Sequence, residues 1–305
     1  MVSSHSKDKL YQTYHFEDPE LDATIHSTAT LNIDILLHGE TGTGKDTLAE
    51  QLHYLSERQG HYVALNCAAI PEGLAESQLF GVTQGAFTGA LQSRPGFIEA
   101  SDRGTLYLDE IDSMPLTLQA KLLRVLETRG VERLGSTKFI PVDMRVIASA
   151  QTSLPTLVEQ GQFRRDLYYR LNVVNLHLPP LRERREHIIP LFLNLIQREA
   201  HYFNSSIPVP STSLLQRVAC HDWPGNVREL RSAAKRLVLG IPPLCSSTRE
   251  HENSTLKLKD RLQQIEKQLI ADSLRRHRHC IDAVVLELGI AKRTLYHRMK
   301  QLEIS

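Results

Sequence analysis

No two of the four cysteines in this 305-residue chain form a C-x-x-C pair: Cys67, Cys220, Cys245 and Cys280 are widely scattered. A disulfide framework is excluded by that spacing, and a reducing compartment fits it. His277, His279 and Cys280 stand close together, yet no second ligand pair follows at zinc spacing, which sets a metal finger aside. No apolar run approaches the ~20 residues of a membrane span. The polar start of the chain also lacks a signal peptide's apolar segment. The expectation is a soluble, cytoplasmic protein with no membrane partner. Net charge is nearly absent too, with 36 Lys and Arg against 35 Asp and Glu. That balance conceals a basic tail, because Leu256–Ser305 holds 11 Lys and Arg against 6 Asp and Glu. The tail is therefore the place to look for a polyanion.

What is present is a chain long enough for about two domains. Residues 1–30 are polar with weak periodicity and read as a short extension. From Leu31 to Pro179, apolar runs alternate with helical patterns, the signature of an α/β fold with a parallel sheet. Strands are expected at Ile33–Leu37, Tyr62–Leu65, Thr105–Leu108, Arg145–Ala148 and Val173–Leu178, with helices at Thr47–Leu55 and Leu116–Thr128. Residues 180–240 read as helical only, a smaller domain. Residues 241–255, with Pro242-Pro243 and Ser246-Ser247-Thr248, read as a linker, and 256–305 as a last helical unit. No internal repeat is visible.

After the first strand comes Gly39-Glu40-Thr41-Gly42-Thr43-Gly44-Lys45-Asp46. A glycine-rich turn between strand and helix aims successive backbone N–H groups at one spot, and Lys45 adds a positive charge that reaches the β and γ phosphates. The general pattern places a magnesium-binding Ser or Thr where Asp46 stands, and Thr47 comes one position late. Downstream, Gly104-Thr105-Leu106-Tyr107-Leu108-Asp109-Glu110 is an apolar strand that delivers two carboxylates at its C-terminal end, the edge where open α/β sheets bind ligands. Asp109 is expected to hold magnesium, directly or through water, and Glu110 to polarise the water that attacks the γ-phosphate of ATP. Two solvated acids near a helix cap are the bland alternative, and the upstream lysine loop argues against it.

Between these motifs lies Gly85-Ala86-Phe87-Thr88-Gly89-Ala90, one ring and one hydroxyl among small residues. Glycines permit a tight turn there. Taken alone the stretch reads as a surface turn with an incidental Phe, and its place between the phosphate loop and the acidic strand favours a ring offered to a partner. At the other end, Cys280–Ile290 reads as a helix ended by Gly289, and Ala291–Leu302 as a second helix with Leu295, Met299 and Leu302 inward. Lys292, Arg293, Thr294, His297, Arg298 and Lys300 then fall on or near its open side. Helix, glycine turn and basic helix match a helix-turn-helix with its second helix in the major groove of double-stranded DNA. Lys292 and Arg293 are candidates for base or phosphate contacts. A solvated basic hairpin or a dimerisation unit is the alternative. The preceding stretch, Leu256–Leu274, has Leu258, Leu262, Ile265, Leu269 and Ile270 at helical spacing and suits a dimer support.

With these pieces placed, Ile33–Ser305 resembles the bacterial enhancer-binding proteins, AAA+ ATPases that activate sigma-54 RNA polymerase. The resemblance rests on Gly39–Asp46, Gly85–Ala90, Gly104–Glu110, Phe163–Val173 and Trp223–Leu230 in that order. It implies an AAA+ P-loop fold, a helical lid, a C-terminal Fis-like helix-turn-helix on enhancer DNA, and ATP-dependent assembly into a ring, expected as a hexamer. An acid after the P-loop lysine is usual in that family, and its hexapeptide engages sigma-54. Further roles follow by position. Asn66 resembles the residue that restrains the catalytic glutamate until nucleotide is seated. Arg164 and Arg170 resemble arginine fingers supplied to a neighbour's ATP, and Arg228 a second sensor. Gln151 stands where a first-sensor Asn is usual, and Gln can also bond a phosphate or water. Trp223 reads as a core anchor. The short N-terminus leaves no room for a receiver domain, so control is expected from expression, proteolysis, a paralogous co-activator or an inhibitory protein. This plan, with Arg275–Ala283 leading into the reader, resembles family members that switch on type III secretion genes in plant-pathogenic bacteria. Other readings are a different AAA+ remodelling ATPase, or a DNA-binding repressor with a vestigial nucleotide fold. The hexapeptide argues against the first, and intact Lys45, Asp109, Glu110 and Arg164 against the second.

Overall fold

Side chains alternate between the two faces of a strand, so a sheet buried on both faces needs apolar residues at consecutive positions. That is what the central strands of this chain supply. The computed structural model describes residues 19–87, 90–244 and 280–302, with the single positions 266, 270, 273, 274 and 277. The chain divides into two compact units, Met1–Pro243 and Leu244–Ser305.

In the first unit, α1 (Pro19–Ala29) precedes β1 (Ile35–His38), α2 (Lys45–Leu55), β2 (Tyr62–Asn66), α3 (Glu72–Phe80), α4 (Phe97–Ala100) and β3 (Thr105–Asp109). Next come α5 (Leu116–Thr128), β4 (Gly130–Glu132), β5 (Phe139–Pro141), β6 (Arg145–Ala150), α6 (Leu154–Glu159), α7 (Arg165–Leu171) and β7 (Val174–His177). Three helices complete it: α8 (Ile188–Tyr202), α9 (Thr212–Cys220) and α10 (Asn226–Val238). The sheet runs β2-β3-β6-β1-β7 with every neighbouring pair parallel. Ile35, Leu37, Tyr107 and Ile147 pack with Leu48 and Leu52 of α2 on one face. Leu36, Leu106, Leu108, Val146 and Ala148 pack with Leu118, Leu122 and Leu126 of α5 on the other.

All five expected strands form this sheet. The antiparallel hairpin β4–β5 was not legible, because each strand has three residues and Phe139 and Pro141 are exposed, leaving no alternation to detect. Residues 19–29, part of the stretch read as a short extension, join the core of the sheet. Leu21, Ile25 and Ala29, spaced four apart, form one stripe of α1 that is buried in the sheet's second core. Arg145 ties that helix down. Fully buried, it donates from Nη1 to Ala29 O at 2.6 Å, from Nη2 to Thr28 O at 3.0 Å and from Nε to Ile33 O at 3.2 Å. Burial pulls its pKa down to about 10. Arg145→Met keeps the length but leaves these carbonyls without a donor, so it should cost about 2–3 kcal/mol in urea unfolding. A loss within ~0.5 kcal/mol, the usual range of a surface change, would mean that Arg145 does not hold α1.

The lid of the first unit centres on Trp223, fully buried with its indole N–H donating to Val218 O at 2.9 Å. In the second unit, α11 (Ile281–Leu288) and α12 (Lys292–Gln301) are joined at Gly289, whose φ of 63° is the left-handed conformation that ends a helix and favours glycine. Val284, Leu295 and Leu302 form their core with Ile270 and Leu274. Residues 1–18, Thr88, Gly89, the linker positions 245–255 and most of the expected helix Leu256–Leu274 lie outside the described residues. Among the described residues no helix is long and apolar enough to cross a membrane.

Candidate nucleotide site

Three neighbouring parallel strands end at one edge of the sheet, and the residues just past those ends make the site. β6 lies between β3 and β1. Gln151, following β6, therefore stands between Glu110, following β3, and the glycine-rich loop that follows β1. A cavity of about 210 Å³ opens there, lined by Thr41, Gly42, Gly44, Lys45, Asp46, Thr47, Asp109, Glu110, Gln151, Val227, Arg228 and Arg231. Lys45 Nζ donates to Gly39 O at 2.7 Å and Glu40 O at 3.0 Å, a curl that holds the ammonium inside its own loop. Burial lowers its pKa, and the carboxylates of Asp109, Asp46, Asp112 and Glu110 oppose that shift.

Asp109 is oriented from three sides. Ser149 Oγ donates to its Oδ1 at 2.6 Å, Tyr107 Oη to the same oxygen at 3.2 Å, and Asn66 Nδ2 to its Oδ2 at 2.9 Å. The single Tyr107 hydroxyl proton is shared with Asp46, whose Oδ1 is nearer at 2.8 Å. Burial, with both carboxylates beside it, pushes the Tyr107 phenol far above its ordinary pKa, so it remains a neutral donor. Glu110 sits at φ 54°, ψ 47°, a left-handed backbone that costs a non-glycine residue about 1–2 kcal/mol. Strain of that kind concentrates at functional positions.

Two residues expected near this chemistry are placed differently. Asn66 hydrogen-bonds Asp109, not Glu110. It is the register partner of Asp109 across β2 and β3, so its amide meets Asp109 while its Oδ1 accepts from the Ala68 and Ala69 backbone at 2.9 and 3.0 Å. Glu110 is held instead by Gln151, whose Nε2 donates to Glu110 Oε1 at 2.8 Å. Arg170, expected beside Arg164 as a charge for a neighbour, is tied into its own subunit. It donates to buried Asp34 at 2.7 Å and to Leu126 O at 3.0 Å. Arg164 is the exposed one, lying away from the cavity and paired with Asp166 at 2.7 and 3.0 Å. Arg228 lines the cavity.

Sequence reasoning gave no role to Asn226 or Arg182. Asn226 is fully buried at φ 51°, a conformation asparagine tolerates better than most residues, and its amide donates to Thr41 O at 3.0 Å and Glu40 Oε2 at 3.2 Å. Arg182 forks onto Glu40 at 2.6 and 2.8 Å, and with Asn226 holds that carboxyl down to a pKa of about 2. Val227 N donates to Gly42 O at 2.9 Å. Gly42 must be glycine there, since a Cβ would come within 2.4 Å of Gly225 O. The signal for Asn226 was its place in the Trp223–Leu230 motif.

The hexapeptide emerges from an antiparallel bridge between Val82 and Arg94. Backbone hydrogen bonds close its turn, Gly85 N to Ala90 O at 2.9 Å and Ala90 N to Phe87 O at 3.0 Å. Phe87 is 48% exposed. Comparison with known proteins fits both the cleft and this loop. Residues 17–177 match the model of the sigma-54 interaction domain, 182–267 the AAA+ ATPase lid domain, and 261–302 the bacterial regulatory proteins of the Fis family. The chain belongs to the sigma-54-dependent transcriptional activators. Its ATP-site domain is thereby of the AAA+ P-loop class. The chain is 58% identical over 286 residues to the probable pathogenicity regulator HrpS of Pseudomonas syringae pv. syringae, covering 94% of this chain and 95% of that one. It is 56% identical over 285 residues to WtsA of Pantoea stewartii subsp. stewartii, covering 93% and 88%. Among solved structures, NtrX from Brucella abortus in complex with ADP superposes with a TM-score of 0.76 at 27% identity, over 98% of this chain and 72% of that one.

In this activator the Fis-type reader presents Arg293, Thr294, Tyr296 and His297 as exposed residues of α12. Lys292 is also exposed, but its ammonium pairs with Asp282 Oδ1 at 2.7 Å, which raises its pKa. Arg298, expected on the open side, is only half exposed and pairs with Glu266 at 3.2 Å. Its position explains this, three residues after Leu295 and four before Leu302, beside the buried stripe. Tyr296 was missed because an aromatic in a helix reads first as core.

Proposed function

We propose that this activator hydrolyses ATP in the cleft between the glycine-rich loop and the ends of β3 and β6, and that a ring of subunits turns the cycle into remodelling of the sigma-54 polymerase closed complex. The convergence of Lys45, Asp109, Glu110 and Arg228 on one cavity carries this reading. Backbone N–H groups from Gly39 to Gly44 and the Lys45 ammonium bind the phosphates, and Arg228 reads the nucleotide from the lid. Glu110 orients a water and takes its proton as the water oxygen attacks the γ-phosphorus and the bond to the β-phosphate oxygen breaks, giving ADP and phosphate. Asp109, Asp46 and Thr47 line the cavity and offer it hard oxygen donors, which suit magnesium. Asp109, directly or through water, would hold the ion, with Asp46 and Thr47 close by, and the ion would offset phosphate charge. Arg164, exposed and outside its own subunit's cavity, suits donation to a neighbour's ATP, which favours a ring, proposed as a hexamer. Phe87 and its loop are the output that meets sigma-54.

The reader is proposed to bind enhancer DNA as paired half-sites through α12. Lys292→Ala with Arg293→Ala should weaken binding to duplex DNA and lower the salt slope of log K by about 2 per reader, as followed by fluorescence anisotropy across salt. Unchanged affinity and slope would take α12 off the DNA. HrpS and WtsA are named as pathogenicity-locus regulators, which supports pathogenicity genes as targets, proposed here to be those of type III secretion. Reconstituted transcription tests the whole reading: activation must need both sigma-54 polymerase and hydrolysable ATP, and activity with a nonhydrolysable analogue would overturn it.

A further inference from the structure

Tyr107 stands in β3 where a phenylalanine would pack as well. Its ring is 2% exposed, buried between the sheet and α2 and stacked on Tyr62 with 6.0 Å between ring centroids. A core ring needs no hydroxyl, yet this one carries its hydroxyl to two residues that line the nucleotide cavity. The single proton meets Asp46 Oδ1 at 2.8 Å and Asp109 Oδ1 at 3.2 Å. The two acids arrive by different routes. Asp109 lies two residues beyond Tyr107, on the same face of the strand, and Asp46 belongs to the first turn of α2, which packs on that face. Their hydrogen bonding is unequal. Asp109 accepts from Ser149 and Asn66 besides its share of Tyr107. Among the described residues the exposed Asp46 carboxylate takes one donor, Tyr107. An ionised carboxylate has about four lone-pair sites, so Asp46 keeps most of its capacity to bind something else.

We propose that Tyr107 is a positioning residue for the metal: its shared proton holds the Asp46 carboxylate beside Asp109, where Asp46 serves magnesium in place of the hydroxyl that the general P-loop pattern has at this position. The proposal rests on the ATPase reading above. Two carboxylates brought to one spot repel each other, and an exposed one at a helix start has water to turn to. One donor between them offsets that repulsion and fixes where Asp46 stands. Burial and both acids keep the phenol protonated, so the donor is always present. Magnesium takes one or two carboxylates with phosphate oxygens and demands near-ideal octahedral geometry. A ligand already in place therefore binds it more tightly than an equal ligand that must first be ordered. Removing the hydroxyl leaves the ring in the core and Lys45 in its loop; what it releases is Asp46.

The test is a double-mutant cycle read by binding rather than turnover, in the full chain, with Tyr107→Phe, Asp46→Ala and the pair. Each protein is titrated with a fluorescent nonhydrolysable ATP analogue in EDTA, and then with magnesium at fixed analogue. In the native background Tyr107→Phe should raise the magnesium concentration at half-saturation about tenfold, the worth of one hydrogen bond to a charged group. In the Asp46→Ala background the same change should have an effect within about twofold, the usual error of additivity. Analogue affinity in EDTA should also stay within about twofold, which a general loosening of the cleft would not allow. An equal rise in both backgrounds would mean that Tyr107 acts through Asp109 or through the fold, and overturns the proposal. A lower magnesium requirement in Tyr107→Phe overturns it too, because the proton would then compete with the metal. So does a loss of affinity in EDTA as large as the loss in magnesium. If magnesium strengthens binding to the unsubstituted protein but the hydroxyl makes no difference, only the role of Tyr107 falls. If that protein binds no analogue with or without magnesium, the ATPase reading falls and takes the proposal with it.

Discussion

Glu110→Gln should bind ATP with near-native affinity and release phosphate about 10²–10⁴ times more slowly, the usual worth of a positioned general base. The substitution keeps shape and an oxygen able to accept from Gln151 Nε2, so the wall of the cleft stays in place. What it removes is the capacity to take a proton from the attacking water, because a carboxamide is not basic near neutral pH. Lys45, Asp109 and Arg228 are untouched, which keeps the phosphate-binding side of the cavity intact. Equilibrium binding of ATP, measured beside phosphate release on the same preparation, separates the two effects. Unchanged release would mean that the reacting water is activated elsewhere. Loss of binding together with release would mean that Glu110 holds the cleft open rather than serving as base.

The centre of the sheet was legible because β1, β3 and β6 are buried on both faces and so show continuous apolar runs, Ile35–Leu37 and Leu106–Leu108 among them. The phosphate loop was legible because its glycines, its lysine and the following helix are contiguous in sequence. Side-chain pairing at the cleft was not, since it depends on which strand ends become neighbours. Asn66 and Gln151 both follow or end apolar strands, and nothing local says which of them faces Glu110. The strand order decides it: β2 meets β3 in a register that sets Asn66 against Asp109, while β6 sits between β3 and β1 and delivers Gln151 to Glu110 and Thr41. Arg170 shows the same limit. Its partner Asp34 lies far away in sequence, and a helical arginine four residues after Asp166 reads as a surface residue paired along its own helix. The burial of α1 was missed for a different reason, because Leu21, Ile25 and Ala29 form a stripe only one residue wide.

Phe87→Ala should leave ATP hydrolysis near its native rate and abolish sigma-54-dependent transcription. The turn that carries Phe87 is closed by backbone hydrogen bonds, Gly85 to Ala90, Ala90 to Phe87 and Ala86 to Thr83, none of which involves the ring. The ring is half exposed, so its removal takes little from the subunit's own stability. No atom of Phe87 lines the nucleotide cavity, and the chemistry there has no direct need of it. Burying a phenyl side chain on a partner is worth about 1.5–3 kcal/mol, and that contact disappears with the ring. Each loop then loses roughly ten- to hundredfold in its hold on sigma-54. Because every subunit of the proposed ring would carry the same change, the losses would act on all its contacts at once, and force would reach the sigma factor through none of them. Phosphate release and open-complex formation, assayed in parallel, decide the matter. If hydrolysis fell in step with transcription, Phe87 would be part of the structure that supports the cleft rather than the output of the motor.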